Sequence, residues 1–326
     1  VGPVWRLPLL TTEVASPLPA RPDGATAAEG FPTGSEFMAQ IMDKRGAARE
    51  AAILAELQKG NIPDFLRQFK MIEVPFTAKD GSTHNMIVSV MPDYLAIGSD
   101  EDHVLIPMTP RTAQAFADQC GYSLPTATLV DHIFRNADVR LTSDLGSTDP
   151  TQNLTRDYAG KGDEQKSSAA YLEHDQAIRQ RYLEETSGRF GCEESPRGTG
   201  EVALAAGHKK DLVLTRAGRF DTGEEGTGEL AFYGWYNDKG KPIEGVPVDR
   251  TKPQGAKLEG MAATTHGPDF VDYSHGARMV DDMVFVDGDP MSLKDVLAHD
   301  NFHTALSREG KITDPASWGK DGRAYR

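Results

Sequence analysis

The stretch Thr264–Gly288, TTHGPDFVDYSHGARMVDDMVFVDG, holds the densest set of proton-moving, metal-binding and anion-holding side chains in the chain. His266, Asp272, Tyr273, Ser274, His275 and Arg278 fall within a dozen or so positions, beside residues that favour strands. VDYSHGARMV and DMVFVDG read as two strands, rich in β-branched and aromatic residues. If VDYSHGAR is extended, alternation puts Tyr273 and His275 on one face and Asp272 and Ser274 on the other.

Working outward, the second half continues in the same manner. DLVLTR and ELAFYGWYN read as strands, with DKGKP as a turn. Runs joined by short turns favour antiparallel pairing over a βαβ series. The expected fold is therefore α+β, with a largely antiparallel sheet in the C-terminal half, packed helices and a helical N-terminal region.

That N-terminal region, SEFMAQIMDKRGAAREAAILAELQ, repeats apolar residues at three- and four-residue spacing, with Ser35 as the expected N-cap. Gly60-Asn61 stops it, and PDFLRQF forms a short second helix. MIEVPFTA and HNMIVSVM flank the turn KDGS and predict a hairpin. YLAIGSDEDHVLIPM reads as two short strands around an acidic turn. TPRTAQAFADQCG and PTATLVDHIFRNA have helical starts and stops. SSAAYLEHDQAIRQRYLEET is a charged helix with Tyr171, Ile178 and Tyr182 on one stripe, and His174 reads as part of its exposed face. In MSLKDVLAHDNFHTAL, His299 and His303 are four apart and would share the face of a closing helix.

The expected organisation is an extended tether over 1–33, one integrated catalytic unit over 34–310 with a sub-division near 142–166, and a loosely held tail over 311–326. The tether is rich in Pro, Ala, Gly and Thr, like the segment left after a signal peptide is cleaved, so a secreted or periplasmic protein is expected. Cys120 and Cys192 permit one disulfide without demanding it. At 326 residues the chain can bury a full core, and no apolar run is long enough to span a membrane as a helix. A net charge of −14 argues against nucleic acid, which needs a concentrated basic surface.

A second concentration of active groups is Gly207–Asp211, GHKKD, which leads into LVL. His208 there could act as a base oriented by Asp211, with Lys209 or Lys210 stabilising a developing anion. Tyr273 and His275 suit proton transfer, and Arg278 suits bidentate capture of a carboxylate. His208, His266 and His275, with Asp272 or Asp211, have the donor types of a zinc or similar divalent site, although their spacing follows no strong metal motif.

The segments GNIPDFLR, DYLAIGSDEDHVLIPMTPRTAQ, GHKKD, YGW and HG…DYSHGAR resemble a family of uncharacterised, mostly bacterial proteins, over about Gly34 to Gly310. HG followed by SHGARM is also similar to the L,D-transpeptidase signature, but Ala277 stands where that family has its nucleophilic cysteine. TATLVDHIFRNADVRL looks like the nucleophile helix of NlpC-type papain-like peptidases, with GHKKDLVL as the histidine strand. Here Thr126 stands in place of the cysteine. Without a thiolate, neither chemistry is available in its usual form.

These features together imply an exported hydrolase cutting an amide or glycosidic bond in an extracytoplasmic polymer, at a histidine-centred site. One alternative is a polysaccharide lyase, with Tyr and His as base and acid and Arg or Lys neutralising a uronate. The other is a non-catalytic polymer-binding module, whose sign would be a shallow aromatic face of Tyr233, Trp235 and Tyr236 with the histidines scattered and buried.

Overall fold

A computed structural model describes residues 18–22, 29–144, 147–149, 151–154, 162–186, 202–214, 230–243, 261–264 and 269–313; for 230–231 and 261–264 it describes the backbone alone. The fold is α+β, as the sequence implies.

The N-terminal helical run splits into α1 (Gly34–Ile41) and α2 (Gly46–Gln58). Gly46, at φ +52, supplies the left-handed residue that turns the chain between them. The cap of α1 is Thr33 rather than Ser35. Thr33 accepts from the Glu36 N–H while the Glu36 carboxylate reaches back to the Thr33 N–H, and the Ser35 hydroxyl is engaged by Asp102. A single 3₁₀ turn over Asp64–Arg67 follows.

The predicted hairpin forms from β1 (Lys70–Thr77) and β2 (Thr83–Val90), paired from Lys70↔Val90 to Thr77↔Thr83. Short strands β3 (Ala96–Gly98) and β4 (His103–Leu105) pair with each other. Helix α3 (Pro110–Cys120) starts at a Thr109 cap and ends at left-handed Gly121. After β5 (Tyr122–Ser123) come α4 (Ala127–Asn136), β6 (Val139–Arg140) and α5 (Ser168–Thr186). The C-terminal part supplies β7 (Ala205–Ala206), β8 (Lys210–Leu212), β9 (Leu230–Gly234), β10 (Met261–Thr264), β11 (His275–Gly276), β12 (Val280–Val286), β13 (Asp289–Ser292) and α6 (Leu293–Ala298).

Two sheets carry the architecture. One runs β1-β2-β12-β13 with β5 beside β12, all antiparallel. The other runs β10-β9-β8-β11 and is antiparallel except for the β8–β11 ladder, which is parallel. The chain passes from the second sheet to the first between His275 and Val280. Along this crossing Ala277 O accepts from Leu95 N and Met279 O from Met91 N, so the segment after β2 joins the sheets.

The expected long strand VDYSHGARMV is mostly not a strand. Val271–Ser274 lies outside the ladder, and a turn closes where His275 N donates to Asp272 O. The closing helix also breaks at His299, which caps α6, so His299 and His303 do not share one helical face.

Buried apolar side chains form one continuous cluster from Leu18 to Ile312. Part of the expected tether is therefore core. Leu18 is buried, Arg21 donates to Gly98 O, and a Cβ on Gly60 would lie 2.4 Å from Pro19 O. Ile312 of the expected tail is also buried, and its N–H bonds Leu297 O. Residues 1–17, 23–28 and 314–326 lie outside the described residues. Among the described residues no helix is long and apolar enough to cross a membrane.

Gly276 packs hard against the segment after β2, since a Cβ there would lie 2.4 Å from the Tyr94 ring. Gly276→Ala should cost about 1–3 kcal/mol through overpacking. A lower urea midpoint at unchanged slope would report this, whereas parental stability would show that Tyr94 yields freely.

Candidate functional site

The parallel ladder pairs His275 with Lys210 and Gly276 with Asp211, while β9 pairs Gly234 with Lys210 and Tyr233 with Asp211 on the other side. Parts of GHKKD, DYSHG and YGW thus lie on three neighbouring strands.

Each polar side chain has a distinct set of partners. His208 Nε2 is 3.0 Å from Asp93 Oδ1, and its ring meets Tyr94 edge-on. Lys209, with no solvent exposure, donates to Tyr273 O at 2.9 Å and lies 3.4 Å from His174 Nδ1. Half-buried Lys210 places its ammonium 4.8 Å over the Trp235 ring. Asp211 accepts from the Tyr94 hydroxyl at 2.8 Å, and its Oδ1 is 3.7 Å from Arg278 Nε. The Asp272 carboxylate accepts from both the N–H and hydroxyl of Ser274 and lies 3.6 Å from His275 Nε2. The His275 ring stacks on Phe232 at 3.6 Å.

Burial sets the electrostatics, because removing a charge from water costs several kcal/mol unless partners replace the hydration. It pulls the Lys209 ammonium down to about 8 against the opposing pull of Asp175, Asp272 and Asp93. It pushes the Asp211 carboxyl up to about 7, even though Arg278 and the Tyr94 hydroxyl favour the anion. His174 is driven well below the ordinary imidazole range by burial and then by Lys209, so it is neutral. Burial acts upward on Asp272 too, but His275, Lys210 and Ser274 together outweigh it and hold the carboxyl below its usual value.

Several expected roles are redistributed. Asp93, not Asp211, orients His208. Arg278 is committed elsewhere: its two terminal nitrogens donate to Met91 O and Ala205 O, and it covers the Tyr94 ring. Tyr273 and His275 do not act side by side. The turn at Asp272 sends the Tyr273 ring against His174 and Trp235 and the His275 ring onto Phe232. That same turn brings Asp272 to His275, which strict alternation would have separated.

The expected metal set does not assemble. His208 and His275 turn to different partners, His266 lies outside the described residues, and no group of three or more His, Cys, Asp or Glu among the described residues could hold a metal ion. Thr126 caps α4 through Leu129 N and donates to Leu306 O, so its hydroxyl serves the helix start rather than a nucleophilic role. Tyr233, Trp235 and Tyr236 form no shallow face. All three are buried, and both tyrosine hydroxyls donate to Asp131. Cys120 is a free buried thiol, and Cys192 lies outside the described residues.

Asp93 and Tyr94 escape the sequence reading, which also puts His174 on an exposed face and Trp235 on a shallow aromatic one. A signal existed for His174, which lies on the Tyr171–Ile178–Tyr182 stripe at helical spacing and is buried with it. Asp93 interrupts an otherwise apolar run, which is the usual mark of a satisfied buried carboxylate. Trp235 gives no such signal. It sits at φ +58, uncommon for a bulky residue, and its buried indole N–H has no hydrogen-bond partner. Comparison with protein-family models, with curated proteins and with solved structures returns no match to this chain.

The Asp211 shift has a signed consequence for stability. Its folded value of about 7 lies above the ordinary 3.8, so between those values the folded state binds more protons than the unfolded state. Its contribution therefore falls as pH rises through that window. Asp211→Asn should remove this component, and the stability of the variant relative to the parent should climb from pH 4 to pH 7 in urea titrations. A pH-independent difference would show that the carboxyl is not displaced upward.

Proposed function

We propose that this chain is a hydrolase that cleaves an amide or glycosidic bond in a polymer outside the cytoplasm, with proton transfer centred on Lys209, Asp211 and His275. The observation that carries this reading is the burial of Lys209 and Asp211 in one short segment beside the β8–β11 ladder. An amine and a carboxyl two positions apart are drawn from opposite ends of the pH scale to about 8 and about 7. Hydrolysis requires one group to take a proton from water and another to give one to the leaving atom. Groups that titrate near neutrality do both at the smallest cost.

The neighbouring residues support the same assignment. His174, 3.4 Å from Lys209 and neutral, adds no charge of its own beside the amine. His275 is fixed by the Phe232 ring on one side and Asp272 on another, the arrangement that orients an imidazole for proton exchange. Since Arg278 is committed to main-chain carbonyls, Lys210 takes the anion-holding role. The polymer class comes from the sequence likenesses to enzymes of cell-envelope amide chemistry.

The test is to incubate the full chain with insoluble cell-wall polymer and, separately, with acidic polysaccharides. Hydrolysis releases soluble fragments with new amine or reducing ends and no new near-ultraviolet chromophore. Lys209→Met should lower release by at least about 100-fold, the scale of a lost general acid or base, with an unchanged circular dichroism spectrum. An unsaturated, absorbing product would replace hydrolysis by β-elimination. Parental activity in Lys209→Met would remove Lys209 from the mechanism, and no release from either polymer would remove the hydrolase reading.

A further inference from the structure

At the other end of the first sheet, three polar side chains line up outside the β8–β11 cluster. Ser82 Oγ lies 2.7 Å from His84 Nε2, and His84 Nδ1 lies 2.6 Å from Asp287 Oδ2. Local sequence explains each position. Asp80 accepts from the Ser82 N–H at 2.9 Å, an Asx turn that fixes the serine at the tip of the β1–β2 hairpin. Ser82 and His84 are two apart at the entry to β2, so strand alternation puts them on one face.

Asp287-Gly288, at φ +53 and +96, forms the two-residue turn between paired Val286 and Asp289, where Asp-Gly is the favoured chemistry. The Asn85 N–H donates to Asp287 Oδ1 at 2.9 Å, leaving Oδ2 for the imidazole. The ring itself is held by Phe76 and Phe302, at 5.4 and 4.9 Å between centroids. Ser82 is exposed, and the Asp287 side chain is half exposed.

We propose that Ser82 is a nucleophile and that Ser82, His84 and Asp287 form a second, surface hydrolytic centre for esters and thioesters with good leaving groups. With the imidazole proton on Nδ1 facing Asp287, Nε2 accepts the hydroxyl proton as Ser82 Oγ attacks the acyl carbon. The bond from that carbon to the leaving oxygen or sulfur breaks, and the leaving atom takes the proton from His84. Water then adds to the acyl-serine with His84 again as base, releasing the carboxylic acid and restoring the hydroxyl. Asp80 Oδ1, 2.5 Å from the same hydroxyl, is the competing acceptor, so the serine proton has a resting and a reactive orientation.

The leaving-group restriction follows from the backbone. Gly81 N already donates to Ala78 O and Ser82 N to Asp80, so these amides are spent before a tetrahedral oxyanion forms. Loss of one such donor costs about 10²–10³ in rate, which rules against amides and leaves activated acyl groups. The open side of Gly81, where a Cβ would meet nothing within 4 Å, gives an acyl donor its approach.

The full chain is treated with a fluorophosphonate probe and, separately, assayed for p-nitrophenyl acetate turnover, with peptide mass spectrometry locating the label. A single label on Ser82 is expected. It should vanish in Ser82→Ala, and label rate and turnover should fall by about 100-fold or more in His84→Gln. Asp287→Ala should also slow both. An unmodified Ser82, or one labelled equally fast in His84→Gln, overturns the proposal. Polymer release by Ser82→Ala should match the parent, so failure of this centre is distinguishable from failure of the Lys209 centre.

Discussion

A guanidinium shut away from solvent holds the junction between the two sheets. Arg278 donates to Met91 O at the end of β2 and to Ala205 O in β7, lies 4.5 Å over the Tyr94 ring and faces Asp211. A rigid planar fork can serve two carbonyls and a ring face at once, which a lysine ammonium on a flexible stem does not do. A buried charge left without these partners would cost several kcal/mol. The end of β2, β7 and β8 must therefore arrive together or not at all. The same constraint presses Tyr94 against Gly276 and leaves no room there for a Cβ.

Arg278 does not win the electrostatic contest beside it. If its charge governed Asp211, that carboxyl would fall below the ordinary range, as Asp272 does with His275 and Lys210 around it. Instead burial prevails, and Asp211 rises to about 7. The difference lies in geometry. Arg278 Nε stands 3.7 Å from Asp211 Oδ1, beyond hydrogen-bond reach, because its terminal nitrogens are drawn to carbonyls. Asp272, by contrast, accepts two bonds from Ser274 within its own turn. Two aspartates at similar depth thus end up on opposite sides of the ordinary carboxyl value.

The regular elements were legible because short-range chemistry fixes them. The KDGS hairpin and the Thr109–Gly121 helix each follow from residues within a few positions. The meeting of GHKKD with DYSHGAR was legible as a grouping, but its parallel ladder was not, since two-residue strands carry no periodicity. Alternation failed at Asp272–His275 for a specific reason. The Asp272 side chain binds Ser274 and folds the backbone into a turn, a local competition that a strand template ignores. Helical spacing marked Tyr171, Ile178 and Tyr182, and extending the same stripe to His174 would have placed that imidazole inside. Its polarity hid what its position revealed. The partners of Arg278 come from residues 91 and 205, and no local rule reaches that far.

The strand pair β2–β12 ties these observations together. β2 begins just before His84 and leads at its far end to Met91, Asp93 and Tyr94; β12 starts two residues after Arg278 and ends just before Asp287. Antiparallel pairing, Val280 to Val90 and Val286 to Met86, therefore puts the guanidinium junction at one end and the Ser82–His84–Asp287 line at the other. Seven residues of strand at about 3.3 Å each separate them by roughly 20 Å. The interval is filled by Met86, Val88, Val90, Val280 and Val284, all without solvent exposure. Such a floor transmits position but little charge, and sites that far apart without shared partners act additively. One pair of strands can thus present a buried, near-neutral acid–base cluster and an exposed serine relay, each tuned by its own surroundings.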